Sequence, residues 1–171
     1  MTHESCDECG FDGAVYDDES LLDAVRALGP SWRGLLATAG EELRRRPEPL
    51  VWSAIEYAAH SRDITALHVY GVEQALSVDE PVIPAIVGDL VESAAATYGT
   101  EDPDAVVAEL SAHATELARA ADAAGAASWS RGITIGDSRI DVRGLLEHAL
   151  HDSLHHVRDV ERGLVRLRAR L

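Results

Sequence analysis

The sequence predicts an all-α protein of four long helices. A short hairpin or extended loop precedes the last helix, and an irregular segment carrying a Cys-x-x-Cys precedes the first. Three observations predict this. Alanine is abundant and aromatic residues make up only 5% of the 171 residues, a composition that favours helices over sheets. Apolar residues recur every three to four positions through most of the chain. Prolines, glycines and capping residues punctuate these periodic stretches. The length suits one domain with a sizeable core, here residues 19–171, behind an amino-terminal segment 1–18.

Taken in order, residues 1–18 are polar and irregular. Cys6-Asp7-Glu8-Cys9-Gly10 has the form of a zinc knuckle: two thiolates two residues apart chelate one tetrahedral metal, and the glycine permits the tight turn. A zinc ribbon needs a second such pair, and there is none. His3 or histidines from elsewhere would have to complete the site. A redox dithiol and a tail with no special role are the alternatives. A first helical pattern runs from about Glu19 to Ala27, with Leu21, Leu22 and Val25 on one side, and Gly29-Pro30 breaks it. Ser31 then caps a helix over about Trp32 to Arg46, ending in Arg44-Arg45-Arg46, where cations suit the helix dipole. The triplet's alternative role is to hold an anionic cosubstrate.

The second long helix starts at Trp52-Ser53-Ala54-Ile55-Glu56, where Ser53 and Glu56 form a capping-box pattern, and runs to about Ser77. A weaker helix is expected over about Ala85 to Thr97. Pro103 opens the third long helix, which runs over about Asp104 to Ala123 on a stripe of Val106, Val107, Leu110, Ala114 and Leu117. His113 reads as structural. Ile133-Thr134-Ile135 and Ile140-Asp141-Val142 alternate around Gly136-Asp137 as a hairpin. Asp141 caps the last helix, about Val142 to Arg168.

That last helix carries four of the eight histidines. His148, His151, Asp152, His155, His156 and Asp159 recur at helical spacing, so at about 100° per residue they crowd one side. A packing helix would be apolar there. Imidazoles and carboxylates at i, i+4 are what one helix offers a divalent metal. A second polar stripe, Glu56, His60 and Asp63, lies on the second long helix. His60-Ser61-Arg62-Asp63-Ile64 and His156-Val157-Arg158-Asp159-Val160 share the pattern His-x-Arg-Asp-apolar, as if two helices present matching faces. This pairs His60 with His156 and, four residues back, with Asp152. Two imidazoles and one carboxylate leave room for water or substrate, as a catalytic zinc requires. The competing register is His60, His151 and His155.

The net charge of −15, with Arg as the sole cationic side chain besides histidine, argues against binding nucleic acid or an anionic membrane. No run of about 18 apolar residues is present, so no membrane span is expected. The acidic, polar start does not read as a secretory signal, and a single Cys pair does not make a disulfide framework. A cytoplasmic protein is expected.

Trp52 to Asp63 followed by His151 to Asp159, in that order and separated by a hairpin-like excursion, resembles the DinB-like superfamily, which includes the mycothiol-dependent maleylpyruvate isomerase amino-terminal domain. The resemblance covers about residues 20–168. It implies a four-helix bundle that holds a divalent metal, zinc or nickel, by His60, Asp152 and His156. Family members are often dimers. The Cys-x-x-Cys lies outside the family pattern; it would bind a second metal or share the first. The leading function implied is a metal-dependent transferase or isomerase joining a low-molecular-weight, mycothiol-like thiol to a small electrophile. Asp63 and Asp159 would orient ligand imidazoles or act as bases, and Arg62 and Arg158 would meet cosubstrate carboxylates. Two rivals use overlapping residues. One is a non-catalytic zinc module or sensor closed by Cys6, Cys9 and two histidines. The other is a metal-dependent hydrolase.

Overall fold

The computed structural model describes residues 3–84 and 94–170. Its element order is β1 (Ser5–Cys6), β2 (Phe11–Asp12), α1 (Asp18–Arg26), α2 (Leu28–Ala39), α3 (Ala54–Ser77), β3 (Val82–Ile83), α4 (Pro103–Ala124), β4 (Gly132–Ile135), β5 (Ser138–Asp141) and α5 (Val142–Arg168). The protein is an all-α four-helix bundle with two small sheets. The helix α3 packs along both α4 and α5, α2 lies on α4, and α1 bridges α4 and α5. Most of the expected helix over 85–97 lies outside the described residues.

The long helices begin where local chemistry starts them. Glu56 accepts from both the backbone N–H (2.8 Å) and the hydroxyl (2.7 Å) of Ser53, closing one end of α3. The Asp141 carboxylate accepts from the Gly144 N–H at 2.8 Å and starts α5. Pro103 occupies the first turn of α4 behind Asp102, whose side chain accepts from Asp104.

The helix expected over Trp32 to Arg46 is corrected at both ends. It starts at Leu28, with only Ala27 between it and α1, and it stops at Gly40. Pro30 fits the first helical turn, where its missing N–H has no partner to lose. Gly29 is a contact point rather than a break. A Cβ there would sit 2.0 Å from the Ser111 hydroxyl, so the glycine lets α2 approach α4. The Arg44–Arg46 triplet therefore does not end a helix. Arg44 donates to the carbonyls of Gly99 (2.7 Å) and Glu101 (2.8 Å), and Arg46 pairs with buried Glu56.

Small residues set the helix spacing: Ala58, Ala59, Ala114, Ala118 and Ala121 are fully buried beside Leu110, Leu117, Leu146 and Leu150. Such close-packed alanines let backbones approach, and the leucines supply the apolar burial, about 1.5–3 kcal/mol each. Trp32 is also fully buried, its indole N–H donating to Ser153 at 2.8 Å.

The hairpin β4–β5 turns at Gly136-Asp137, and β3 adds to it in parallel, a strand the sequence did not suggest. The amino-terminal segment is not irregular. It forms the β1–β2 hairpin, which packs against α5. Among the described residues no helix is long and apolar enough to cross a membrane.

Candidate metal centre

The start of α3 fixes where His60 stands. Glu56 caps the helix and is held by Arg46; one turn later His60 faces α5. There Asp152 Oδ1 lies 3.9 Å from His60 Nε2 and 3.6 Å from His156 Nε2. The two rings are 5.0 Å apart and nearly perpendicular. These separations are too long for hydrogen bonds. They suit three donors around one cation: with bonds of about 2.0–2.2 Å, tetrahedral edges are about 3.4 Å. Asp152 Oδ2 and His60 Nδ1 are buried with no hydrogen-bond partner. A buried carboxylate oxygen without a donor is costly unless something else satisfies it. Burial pulls the His60 pKa below its ordinary value, and His156 adds to this against the pull of Asp152. The imidazole is thus kept in the neutral form that ligates metals.

Aromatic rings shield the cluster. Trp52 packs on His60 (5.2 Å between centroids) and Tyr57 on His156 (4.9 Å). Asp159 accepts the Nδ1 proton of His156 at 3.1 Å, which fixes the tautomer and leaves Nε2 free toward the cluster. Asp63 does not reach an imidazole by a hydrogen bond. It accepts from the Tyr98 hydroxyl (2.7 Å) and from Arg62 (2.7 Å). Burial and that bond to Asp63 push the Tyr98 hydroxyl well above its usual range. Tyr98 in turn meets Trp52 edge-on at 6.1 Å, and Trp52 is the ring that packs on His60.

The two arginines expected to receive a cosubstrate are elsewhere engaged. Arg62 is clamped by Asp63, Glu101 and Glu109. Arg158 is exposed beside Glu161, and at about 100° per residue it points about 200° away from His156.

His151 and His155 belong to a different constellation. Their donor atoms and the thiols of Cys6 and Cys9 all lie within 4.8 Å of one another, and both cysteines are free. The two expected histidine registers thus face two different neighbours, and the Cys-x-x-Cys does not share the His60 cluster. The Cys9 backbone N–H, then His151 and His155, draw the Cys6 thiol down to about 6, while burial holds the Cys9 thiol above its ordinary value. His3 is not a fifth candidate, because it donates to Glu147 at 2.8 Å.

Sequence reasoning missed the shielding rings Trp52, Tyr57 and Tyr98, and also Glu4, which bonds both His148 (2.9 Å) and His151 (2.5 Å). It missed a cavity of about 360 Å³ as well, lined by Ile64, Leu67, Ile83, Ile133, Leu145 and others, with Asp152, His148 and His68 on its wall. Alternating isoleucines in the hairpin were the available signal, but nothing local said that they would face α3. Burial drives the His68 pKa down to about 4, while its Nδ1–H donates to the Ile64 carbonyl.

A family model for the DinB superfamily matches residues 21–160, a span that contains His60, Asp152 and His156 but neither cysteine. Among solved structures, the chain is similar to YfiT from Bacillus subtilis, described as "a probable metal-dependent hydrolase with an unusual four-helix bundle topology". The TM-score is 0.76 at 15% identity, over 88% of this chain and 87% of that one. At that identity the likeness concerns the fold. Comparison with curated proteins gives no match.

Proposed function

The chain belongs to the DinB superfamily, and on that premise we propose that it is a metal-dependent hydrolase of small, largely apolar molecules. One observation carries the reading: two imidazole nitrogens lie 3.9 and 3.6 Å from one carboxylate oxygen, beside an unpartnered buried carboxylate oxygen. His60, Asp152 and His156 would hold the cation. Two nitrogens and one oxygen suit zinc, nickel or a similar divalent ion, and three protein donors leave a position open. When bound, the ion supplies a Lewis acid at that position.

The chain's own residues do the rest. Asp159 holds the proton on His156 Nδ1, so that Nε2 offers its lone pair. Trp52 and Tyr57 exclude bulk water and stiffen the ligand rings. Asp63 positions Tyr98 behind Trp52. The cavity beside Asp152 offers about 360 Å³ of mostly apolar wall, at the small end of pockets that take organic ligands.

Transfer to a mycothiol-like thiol uses the same ligands. Its anion-recognising arginines, Arg62 and Arg158, are paired or turned outward, so hydrolysis is the better-supported chemistry. The test loads purified protein with zinc or nickel and screens small esters, amides and lactones, each with and without a thiol and monochlorobimane. Asp152→Ala should abolish turnover. Turnover equal to wild type in that variant would sink the reading, and turnover that requires the thiol would move it to transfer.

A further inference from the structure

The second cluster takes no part in the chemistry proposed above, and its two cysteines lie outside the family match, although His151 and His155 lie within it. It joins two parts of the chain far apart in sequence. In the amino-terminal hairpin, Cys6 pairs with Phe11, and the Gly10 N–H donates to the Cys6 carbonyl at 2.8 Å. Gly10 adopts φ +75°, a left-handed conformation that costs glycine little, and the tight turn brings both thiols toward α5. From α5, His151 and His155 reach back at i, i+4. The Cys6 sulfur lies 3.8 Å from His155 Nδ1. The Nε2 of His151 is buried and has no hydrogen-bond partner, while its Nδ1 donates to Glu4. Phe11 stacks on the same ring at 5.0 Å.

We propose that Cys6, Cys9, His151 and His155 form a closed, tetrahedral zinc site that fastens the amino-terminal hairpin to the last helix. Two thiolates and two imidazoles are a structural zinc donor set. With Zn–S about 2.3 Å and Zn–N about 2.0 Å, the edges of such a tetrahedron run from about 3.3 to 3.8 Å, so donors already within 4.8 Å need only small side-chain movements to close on it. Zinc takes both sulfurs as thiolates, and the thiol protons that remain leave to solvent. Glu4 is the outer carboxylate that holds His151 in its ligating tautomer. All four positions are filled by protein, so the site has no opening for substrate. Its role is mechanical. A hairpin of two-residue strands is too small to hold itself. Fastened, it also keeps Glu4 on His148 at the wall of the apolar cavity.

The test uses cobalt(II) and zinc on the full-length, tag-free protein. Wild type should take up two cobalt equivalents, one of them showing sulfur-to-cobalt charge transfer and tetrahedral visible bands. Cys6→Ser with Cys9→Ser should lose that spectrum and one equivalent. Asp152→Ala should lose the other equivalent and keep the spectrum, so this proposal and the hydrolase reading fail separately. In wild type, zinc should slow modification of the thiols by a disulfide reagent at least about 10-fold relative to chelator-treated protein, a readout that needs no variant. Absence of the charge-transfer bands, or thiols modified equally fast with zinc and with chelator, would overturn the proposal.

Discussion

His151 and His155 point from α5 into the amino-terminal hairpin, whereas Asp152 and His156, each one residue further on, point at His60 on α3. A single step along a helix turns a side chain by about 100°, enough to change which element it meets. The partners differ in kind. The bundle cluster draws donors from two long helices packed together through buried alanines and leucines. The hairpin cluster draws two donors from a segment with almost no core of its own, so an ion there is structural. The bundle cluster has three donors and an apolar cavity beside it; the hairpin cluster has four donors and no vacancy. Donor count and the rigidity of the supporting elements, more than histidine density, separate a site suited to chemistry from one suited to fastening.

The sharpest way to break this comparison is to remove one ligand from each pair. His156→Ala should lower kcat/KM by more than roughly 100-fold, beyond what loss of an outer hydrogen bond costs, and should leave the sulfur-ligated cobalt spectrum intact. His155→Ala should do the reverse to the spectra. Identical losses of both cobalt signals in the two variants would mean one shared site.

A smaller effect is expected one bond further out. Asp159→Asn should weaken cation binding at the bundle cluster about 10- to 100-fold, and Glu4→Gln should do the same at the hairpin cluster, each measured against a chromophoric chelator. Cross-effects as large as the direct ones would join the two clusters into one unit.

Between the clusters, on the cavity wall, His68 packs 5.3 Å from His148 and is held neutral by burial. Its folded pKa, about 4, is below the unfolded value near 6.5, so the unfolded chain binds the extra proton between these values. Its contribution is complete above about pH 6.5 and is lost as pH falls toward 4. Metal-free wild type should therefore lose about 2 kcal/mol from this group between pH 7 and pH 5. His68→Asn, which can still donate to Ile64, should lose correspondingly less in urea titrations at the two pH values. An unchanged pH dependence would remove His68 as the cause.

A control lies on a third face of α5, where no effect on either metal signal is expected. Ser153→Ala leaves the Trp32 indole N–H buried without its acceptor and should cost about 1–3 kcal/mol of stability. Both metal signals should survive; loss of either would show that the clusters depend on helix position within the core.

Much of this was legible in the residues. The Ser53–Glu56 box, Asp102-Pro103 and Asp141 set the starts of the long helices because caps are local chemistry, satisfied within four residues of the chain. The matching His-x-Arg-Asp segments brought His60, Asp152 and His156 onto one candidate list. The start of α2 was misjudged because its contact at Gly29 with Ser111 on α4, across about 80 residues, outweighs the local Gly-Pro signal. The sequence by itself determined which side chains could ligate and on which helices they ride. Only the tertiary structure decided how α5 is rotated, and hence that Asp152 and His156 meet His60 on α3 while His151 and His155 meet a pair of thiols more than 140 residues away. Periodicity defines a face relative to its own helix axis; the direction in which that face points is fixed by packing against every other element at once.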